Sequence, residues 1–156
     1  MKIAFGHRKR VGKDTACDYI ATKLTNVLRL SFAGPIYTIH DLVLKTLGRP
    51  IEKNRGLLRA LGQWGREEDP MIWINFLIQA AINHPGNAVV SDLRFFNEAE
   101  KLKEAGFILV KISRPGIEKD DDISETALSG YDGWDYKIKN DGDLEKFYGE
   151  LDKLLR

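Results

Sequence analysis

The segment at residues 2–15 constrains the fold of this chain more than any other. Residues 2–5 form a short apolar run that predicts a strand, and a basic loop that ends in Gly12 and Lys13 follows it. Beyond the loop, apolar residues recur at helical spacing, namely Cys17, Ile20, Ala21, Leu24 and Leu28. A loop between a strand and a helix N-terminus presents backbone N–H groups to an anion. The segment therefore predicts an α/β fold that begins with a phosphate-binding loop.

The loop departs from the formal pattern G-x-x-x-x-G-K-[ST]. Five residues separate Gly6 from Gly12, and Asp14 stands where Ser or Thr is expected. Gly12 still lets the main chain approach phosphate oxygens, and Lys13 still reaches the outer phosphates. The alternative interpretation of this segment is a solvated surface turn. The residues predicted to contact the donor nucleotide here are His7, Arg8, Lys9, Arg10, Val11, Gly12, Lys13, Asp14 and Thr15.

Asp14 also predicts a metal ion. A carboxylate beside a triphosphate is repelled unless a cation lies between them. We expect Mg²⁺ to fill this role, held by the Asp14 carboxylate or the Thr15 hydroxyl, with water completing an octahedral shell.

The rest of the chain alternates between predicted strands and helices. Strands are expected near residues 28–32, 88–91, 107–112 and 136–138, with helices near 35–47, 57–61, 97–105 and 144–155 and another headed by Asp69 as N-cap and Pro70 in its first turn. This order predicts a three-layer fold, a parallel sheet of about five strands flanked by helices, with ligands at the carboxyl ends of the strands. The 156 residues suit one domain over 1–156, with a small mobile lid over 114–133.

Composition excludes several classes of protein. With 24 Lys plus Arg against 23 Asp plus Glu, the formal charge of +1 lacks the basic field of a dedicated nucleic-acid binder. No apolar run is long enough to span a bilayer, so we expect a soluble, cytoplasmic protein without a membrane partner. The single cysteine, Cys17, excludes an internal disulfide and is expected to be a small buried hydrophobe.

The loop FGHRKRVGKDT at 5–15 resembles the G-K-D-T form of the P-loop in phage-type deoxynucleoside monophosphate kinases, with His7 at the position of the family's first P-loop glycine. A similar G-K-D form occurs in phosphomevalonate kinases. Further segments resemble the deoxynucleoside monophosphate kinases in the family's order: RGLLRALGQWGR at 55–66, DPMIW at 69–73, VSDLRFFNEAE at 90–100, ISRPG at 112–116, SET at 124–126 and NDG at 140–142. The resemblance covers nearly the whole chain.

The resemblance implies a nucleoside monophosphate kinase that uses ATP and Mg²⁺, and phosphoryl transfer needs cations from several segments. Lys13 is the candidate for the donor phosphates. Asp92, at the end of a strand, is a candidate for orienting the acceptor phosphate or for binding the metal through water, with a helix-capping or turn aspartate as the alternative. Asn140 lies in the segment that resembles the loop near the donor adenine, and a plain turn is its alternative.

Arginines supply the other candidates. Arg94 and Arg66 are predicted to grip the acceptor monophosphate, because a guanidinium binds phosphate through two hydrogen bonds. Arg114 begins the expected lid and resembles an arginine that stabilises the transferring charge on closure. Surface ion pairs are the alternative for these arginines. Trp64 is a candidate for stacking on the acceptor base, with a core position as its alternative, and Trp73 is expected in the core.

The sequence thus favours ATP-dependent phosphorylation of deoxynucleoside monophosphates to diphosphates. One alternative is a related P-loop kinase that acts on dephospho-coenzyme A or phosphomevalonate. Another is a non-catalytic nucleotide-binding or nucleic-acid-binding protein that uses the basic run at 7–13. We expect small-molecule nucleotides as partners, no stable nucleic-acid complex, and the host cytoplasm as the location if a phage encodes the chain; a homodimer is left open.

Overall fold

The computed structural model describes residues 1–117 and 127–156, along which strands and helices alternate. The strands are β1 Lys2–Gly6, β2 Val27–Leu30, β3 Asn87–Leu93, β4 Ile108–Ser113 and β5 Tyr136–Lys139. The helices are α1 Lys13–Lys23, α2 Gly34–Thr46, α3 Arg55–Glu68, α4 Ile72–Asn83, α5 Phe96–Glu104 and α6 Leu144–Asp152, with a 3-10 turn at Lys153–Leu155. The SET motif at 124–126 and the middle of the expected lid lie outside the described residues.

The strands form a parallel sheet in the order β2-β3-β1-β4-β5. Strand β1 is central, since Ile3 pairs with Val89 of β3 on one side and with Ile108 of β4 on the other. Parallel strands covered on both faces read as continuous apolar runs, as β1 does. This register brings the carboxyl ends of β1 and β3 together, and the expected five-stranded parallel sheet is confirmed.

Helices cover both faces of the sheet, which confirms the three layers. Side chains of a strand alternate between faces, so Ala4 packs with Leu77 of α4 while Ile3 and Phe5 face the core under α1 and α6. Cys17 of α1 is buried in the second of these cores. Burial raises the pKa of its thiol to about 12, so the thiol stays protonated and acts as a packing residue.

The first helix is shorter than its apolar spacing predicts. Helix α1 ends at Lys23, and Leu24 already has extended backbone. Asn26 then adopts a left-handed φ of 52°, which turns the chain into β2. Leu28 therefore lies in a strand, and its helical spacing from Leu24 is coincidental.

Helix α4 begins later than Asp69 and Pro70 predict. Asp69 ends α3 instead, because its N–H donates to the Gly65 carbonyl at 2.9 Å. Its carboxylate accepts the Met71 N–H at 2.8 Å, and α4 starts at Ile72. The prediction that Asp69 is the N-cap of this helix is wrong, because the carboxylate stabilises the turn that precedes the helix.

Helices α3 and α4 approach closely through glycines. A Cβ on Gly65 would lie 2.3 Å from Cζ2 of Trp73, and the Trp73 indole N–H donates to the Gly62 carbonyl at 3.2 Å. Trp73 is buried, which confirms its predicted core position. None of the helices within residues 1–117 and 127–156 combines the length and apolar character that crossing a membrane requires.

Candidate active site

The basic loop after β1 folds around the ammonium group of Lys13. The Lys13 side chain is only 8% exposed, and its Nζ donates to the carbonyls of His7, at 3.1 Å, and Arg8. Positive φ angles at His7, Arg10 and Gly12 (92°, 61° and 106°) bend the backbone into this curl. Gly12 is the N-cap of α1, so the loop ends at a helix N-terminus, as a phosphate site requires.

His7 contributes no charge to this loop at neutral pH. Burial, together with the nearby cations Lys111 and Arg8, lowers the pKa of its imidazole to about 4. His7 Nδ1 and Arg8 Nε are both buried without a hydrogen-bond partner among the described residues. Buried polar atoms are normally paired, so the loop leaves hydrogen-bonding capacity unused where a phosphate is predicted.

Asn140, directly after β5, supports the basic loop through a hydrogen bond to its backbone. Its Nδ2 donates to the Val11 carbonyl at 2.9 Å, and a Cβ on Gly12 would lie 2.8 Å from the same nitrogen. The lysines Lys146 and Lys139 hold the pKa of the neighbouring Asp141 carboxyl at about 2. The described contact of Asn140 is therefore with the loop backbone, and its contact with the donor adenine stays a prediction.

Asp92 lies near the end of β3 and ties that strand to the loop before α2. One carboxylate oxygen accepts the Phe32 N–H at 3.0 Å, and the other accepts the Ala33 N–H at 3.1 Å. Burial raises the pKa of this carboxyl, and these two bonds act in the opposite sense. This geometry matches the alternative interpretation as a turn carboxylate, while the roles of Asp92 toward acceptor and metal stay predictions.

A cavity of about 640 Å³ opens beside the loop and collects several of the predicted residues. It is lined by Asp14, Arg66, Asp92 and Arg94, together with Ser31, Phe32, Ala33, Ile36, Tyr37, Leu58, Arg59, Gly62, Trp73, Ser91, Phe95 and Glu98. Residues from α1, α2, α3 and the end of β3 thus meet in one place. We call it the acceptor cavity, because the arginines predicted to bind the acceptor line it. The larger cavity of about 820 Å³ at the end of α2 contains none of the predicted site residues.

Three arginines line the acceptor cavity, and one of them was missed by the sequence analysis. Arg59 and Arg66 are seven residues apart on α3, which places them on the same side of the helix. Arg94 reaches the cavity from the end of β3. The spacing of Arg59 from Arg66 was the signal that could have found it.

The aromatic residues of the cavity differ from the predicted one. Tyr37, Phe32, Phe95 and Trp73 line it, whereas Trp64 is 52% exposed and is absent from the lining residues among those described. The alternative that placed Trp64 in the core is wrong, because it projects from the solvent side of α3. Phe95 directly follows Arg94, so its position at the end of a strand was the available signal.

The expected lid differs between its two described ends. Arg114 directly follows β4 and is exposed, outside the lining of the acceptor cavity. At the other end, Leu128, Tyr131 and Trp134 are buried, and the Tyr131 ring meets Phe96 of α5 edge-on at 5.3 Å. Leu128 and Tyr131 thus pack into the core, whereas Ser129, Gly130 and Asp132 are exposed, and the lid itself stays a prediction.

The metal prediction fits the position of Asp14. Asp14 lies in the first turn of α1 beside Lys13 and also lines the acceptor cavity, and Thr15 is the next residue of the helix. The described part of the chain holds no cluster of three or more His, Cys, Asp or Glu side chains suited to a metal. Mg²⁺ favours one or two oxygen ligands from the protein, with the remaining ligands from phosphates and water.

A lysine-centred loop after the central strand, in a parallel sheet of order β2-β3-β1-β4-β5 with helices on both faces, defines a P-loop kinase fold. Shikimate kinase from Aquifex aeolicus has the same fold, with a TM-score of 0.54 and 16% identity over 99% of this chain and 96% of that one. The sequence model of deoxynucleotide monophosphate kinases matches residues 55–151. The chain therefore belongs to the deoxynucleotide monophosphate kinase family, which confirms the resemblance.

Several viral proteins are similar to this chain. The protein ORF77 of Ictalurid herpesvirus 1 is 32% identical over 98% of this chain and 69% of its own length. The deoxynucleotide monophosphate kinase of Escherichia phage RB69 is 32% identical, and the putative one of Acanthamoeba polyphaga mimivirus is 44% identical. These two alignments cover 56% and 40% of this chain, and only 38% and 33% of those proteins.

Family membership makes the protein a phosphotransferase of nucleotide metabolism. The expected function, phosphorylation of deoxynucleoside monophosphates, is the one that the family's description gives, and the alternatives are not favoured. The matched segment, 55–151, contains the cavity arginines Arg59, Arg66 and Arg94 but not the phosphate loop. The match therefore covers the acceptor cavity arginines and Asn140, and leaves the phosphate loop outside.

Proposed function

We propose that this protein transfers the γ-phosphoryl group of ATP to the phosphate of a deoxynucleoside monophosphate, giving ADP and a deoxynucleoside diphosphate. One observation carries the proposal: a cavity lined by three arginines opens directly beside a phosphate loop that encloses a buried lysine. A phosphoryl transfer between two nucleotides needs two anion sites side by side.

The donor phosphates occupy the loop. Lys13 and the loop backbone at 7–15 bind them, and Lys13 exchanges its present carbonyl partners for phosphate oxygens. Because His7 is neutral at pH 7, the charge in this loop comes from Lys13 and the flanking residues Arg8, Lys9 and Arg10. Asn140 holds the loop at Val11 and lies on the donor side.

The Asp14 carboxylate or the Thr15 hydroxyl would hold Mg²⁺ beside the donor phosphates. When bound, the ion neutralises charge between the two nucleotides. The position of Asp14, shared by the first turn of α1 and the acceptor cavity, supports this role.

The acceptor phosphate lies among Arg66, Arg94 and Arg59. An acceptor oxygen attacks the γ-phosphorus, the bond from that phosphorus to the bridging oxygen breaks, and ADP leaves. The protein supplies alignment and charge, as this reaction requires. Asp92 orients this region through the loop before α2, and Arg114 stabilises the transferring group when the lid closes over the site.

We propose further that the chain acts as one domain whose lid begins at Arg114. The substrates are small-molecule nucleotides, so the proposed place of action is the cytoplasm, where nucleotide metabolism supplies them. The acceptor base is held by stacking on the cavity aromatics Tyr37 and Phe95.

The experiment that tests this function is ATP consumption with Mg²⁺ against each of the four deoxynucleoside monophosphates. Dephospho-coenzyme A and a mixture without acceptor serve as comparisons. We expect turnover of at least one deoxynucleoside monophosphate, and a loss of about 10²-fold or more in Lys13→Ala, because its charge acts on the phosphates.

The matched control is Lys153→Ala, which removes an exposed lysine paired with Glu150. It should keep full turnover, and circular dichroism should show both variants folded. Turnover of dephospho-coenzyme A with none of any deoxynucleoside monophosphate would reject the proposed substrate.

A further inference from the structure

Glu98 is a buried carboxylate in the wall of the acceptor cavity to which the proposed function assigns no role. Its side chain is 8% exposed, and it lies in the first turn of α5. One carboxylate oxygen accepts two backbone N–H groups, that of Arg94 at 2.9 Å and that of Phe95 at 3.0 Å. Both donors belong to residues that line the same cavity.

These two bonds go beyond ordinary helix capping. A glutamate at the third position of a helix often accepts the N–H of the capping residue, here Phe95. The bond to Arg94 lies one residue further out and fixes the peptide that carries the cavity arginine. Because two bonds converge on one oxygen, the direction in which the 94–95 segment leaves β3 depends on this side chain.

The surroundings of Glu98 connect it to the phosphate site as well. Burial raises the pKa values of both Glu98 and Asp92, and the positive charge of Arg94 acts on both carboxyls in the opposite sense. The charge of Arg94 thus acts on two carboxyl groups that line the same cavity. Arg66 and Arg59 line the same cavity from α3.

We propose that Glu98 is a positioning residue for the acceptor: its carboxylate fixes the backbone of Arg94 and Phe95 so that the guanidinium meets the acceptor phosphate and the ring meets the base. The inference rests on the proposed function and adds to it the residue that orders the acceptor wall. Bidentate recognition of phosphate depends on orientation, which is why a remote positioning group affects it.

The test compares Glu98→Ala with Glu98→Gln in steady-state kinetics with the deoxynucleoside monophosphate that gives the highest turnover. The glutamine amide oxygen can accept the same two N–H groups, whereas alanine cannot. We expect Glu98→Ala to raise KM for the acceptor about tenfold or more and to leave KM for ATP within about twofold. Glu98→Gln should keep KM for the acceptor within about threefold of the wild type.

The matched control is Glu104→Ala on the same helix, whose side chain is 62% exposed. It should change neither KM. Should Glu98→Ala fail to fold, Glu98→Asp serves in its place, because the shorter carboxylate keeps the charge but cannot reach both N–H groups; it should raise KM for the acceptor in the same selective way.

Other outcomes would overturn the inference. A merely structural role would lower the melting temperature and kcat with both KM values unchanged, and equal rises in both KM values would also contradict it. If the wild type turns over none of the four acceptors, the proposed function fails. Calorimetric binding of the same four nucleotides then decides the inference: selective loss of binding in Glu98→Ala supports it, and absence of binding to the wild type rejects it.

Discussion

Glu98 also makes the stability of the protein depend on pH. Burial raises the pKa of its carboxyl from 4.5 to about 7, although the N–H groups of Arg94 and Phe95 lower it in part. The folded state therefore holds this proton more tightly than the unfolded chain does. The contribution to stability is fully present below about pH 4.5 and is lost as the pH rises through about 7.

We expect Glu98→Gln to remove this dependence. Between about pH 5 and about pH 8, the free energy of unfolding of the wild type should fall by on the order of 3 kcal/mol relative to that of the variant. Urea unfolding at several pH values measures the difference. A difference for Glu98→Gln that stays constant with pH would contradict the prediction.

Two features of the structure require glycine at position 12: the left-handed backbone and the nearby side chain of Asn140. With φ at 106°, any side chain is strained, and a Cβ would also lie 2.8 Å from Nδ2 of Asn140. Gly106 supplies the matched comparison, because its φ is 80° and nothing lies within 4 Å of a Cβ there. Alanine at either position should cost about 1–2 kcal/mol for the backbone.

We expect Gly12→Ala alone to raise KM for ATP, since the added methyl group displaces Asn140 from the loop. Gly106→Ala should leave both KM values unchanged. Unfolding curves and initial rates of the two variants measure these effects, and equal KM values for ATP in both would show that contact with Asn140 does not matter to donor binding.

Part of the candidate site could be predicted at this scale. Gly12 and Lys13 are identified by their local order between a strand and a helix, which the sequence states directly. Arg59 and Phe95 were missed because the acceptor cavity joins elements that are distant in sequence, so membership depends on packing. Trp64 was chosen for its residue type, and the orientation of α3 leaves it in solvent.

At the scale of elements, the close approach of α3 to α4 requires glycine at position 65. Alanine at Gly65 would meet the rigid ring of Trp73 at 2.3 Å and force the helices apart. We expect Gly65→Ala to lower the free energy of unfolding by about 1–3 kcal/mol. It should also raise KM for the acceptor, because the neighbouring residue Arg66 lines the acceptor cavity.

At Gly56, in the first turn of the same helix, we expect alanine to change the free energy of unfolding in the opposite direction. It is exposed, and a Cβ there would lie 3.4 Å from Oδ1 of Asn54, an ordinary contact. Gly56→Ala should raise the free energy of unfolding by about 0.5–1 kcal/mol, the usual gain of alanine over glycine in a helix. Thermal unfolding of the two variants side by side measures both effects, and a shift of the same sign in both would refute this account of the helix contact.

Most elements of the fold were predictable because apolar spacing marks strands and helices directly. Strand β1 is apolar from Ile3 to Phe5, so its buried central position agrees with its sequence. The ends of elements were harder to predict: Asp69 has the residue type of an N-cap, yet a hydrogen bond from its N–H to Gly65 makes it the end of α3. Tyr131 is buried against Phe96 of α5, and Trp134 packs edge-on against Tyr131; no local pattern records these contacts.

At the scale of the whole molecule, the phosphate loop and the acceptor cavity lie side by side, and Asp14 belongs to both. On the proposed assignment of donor and acceptor, we expect both nucleotides to bind at once and the phosphoryl group to pass directly between them, without an intermediate on the protein. We expect double-reciprocal plots of rate against ATP, at several fixed acceptor concentrations, to intersect. Parallel lines, which indicate a phosphorylated enzyme, would contradict this arrangement; heat-inactivated protein supplies the background rate.

Trp134 is a natural fluorophore that lies beside the start of the phosphate loop. Its ring lies so close to Gly6 that a Cβ there would be 2.4 Å from Cη2, and Gly6 is the last residue of β1 before the phosphate loop. The emission of an indole shifts in colour with the polarity around it. In a protein whose Trp64 and Trp73 are both replaced by phenylalanine, the fluorescence would come from this one position, and occupation of the loop could be followed without attaching a dye.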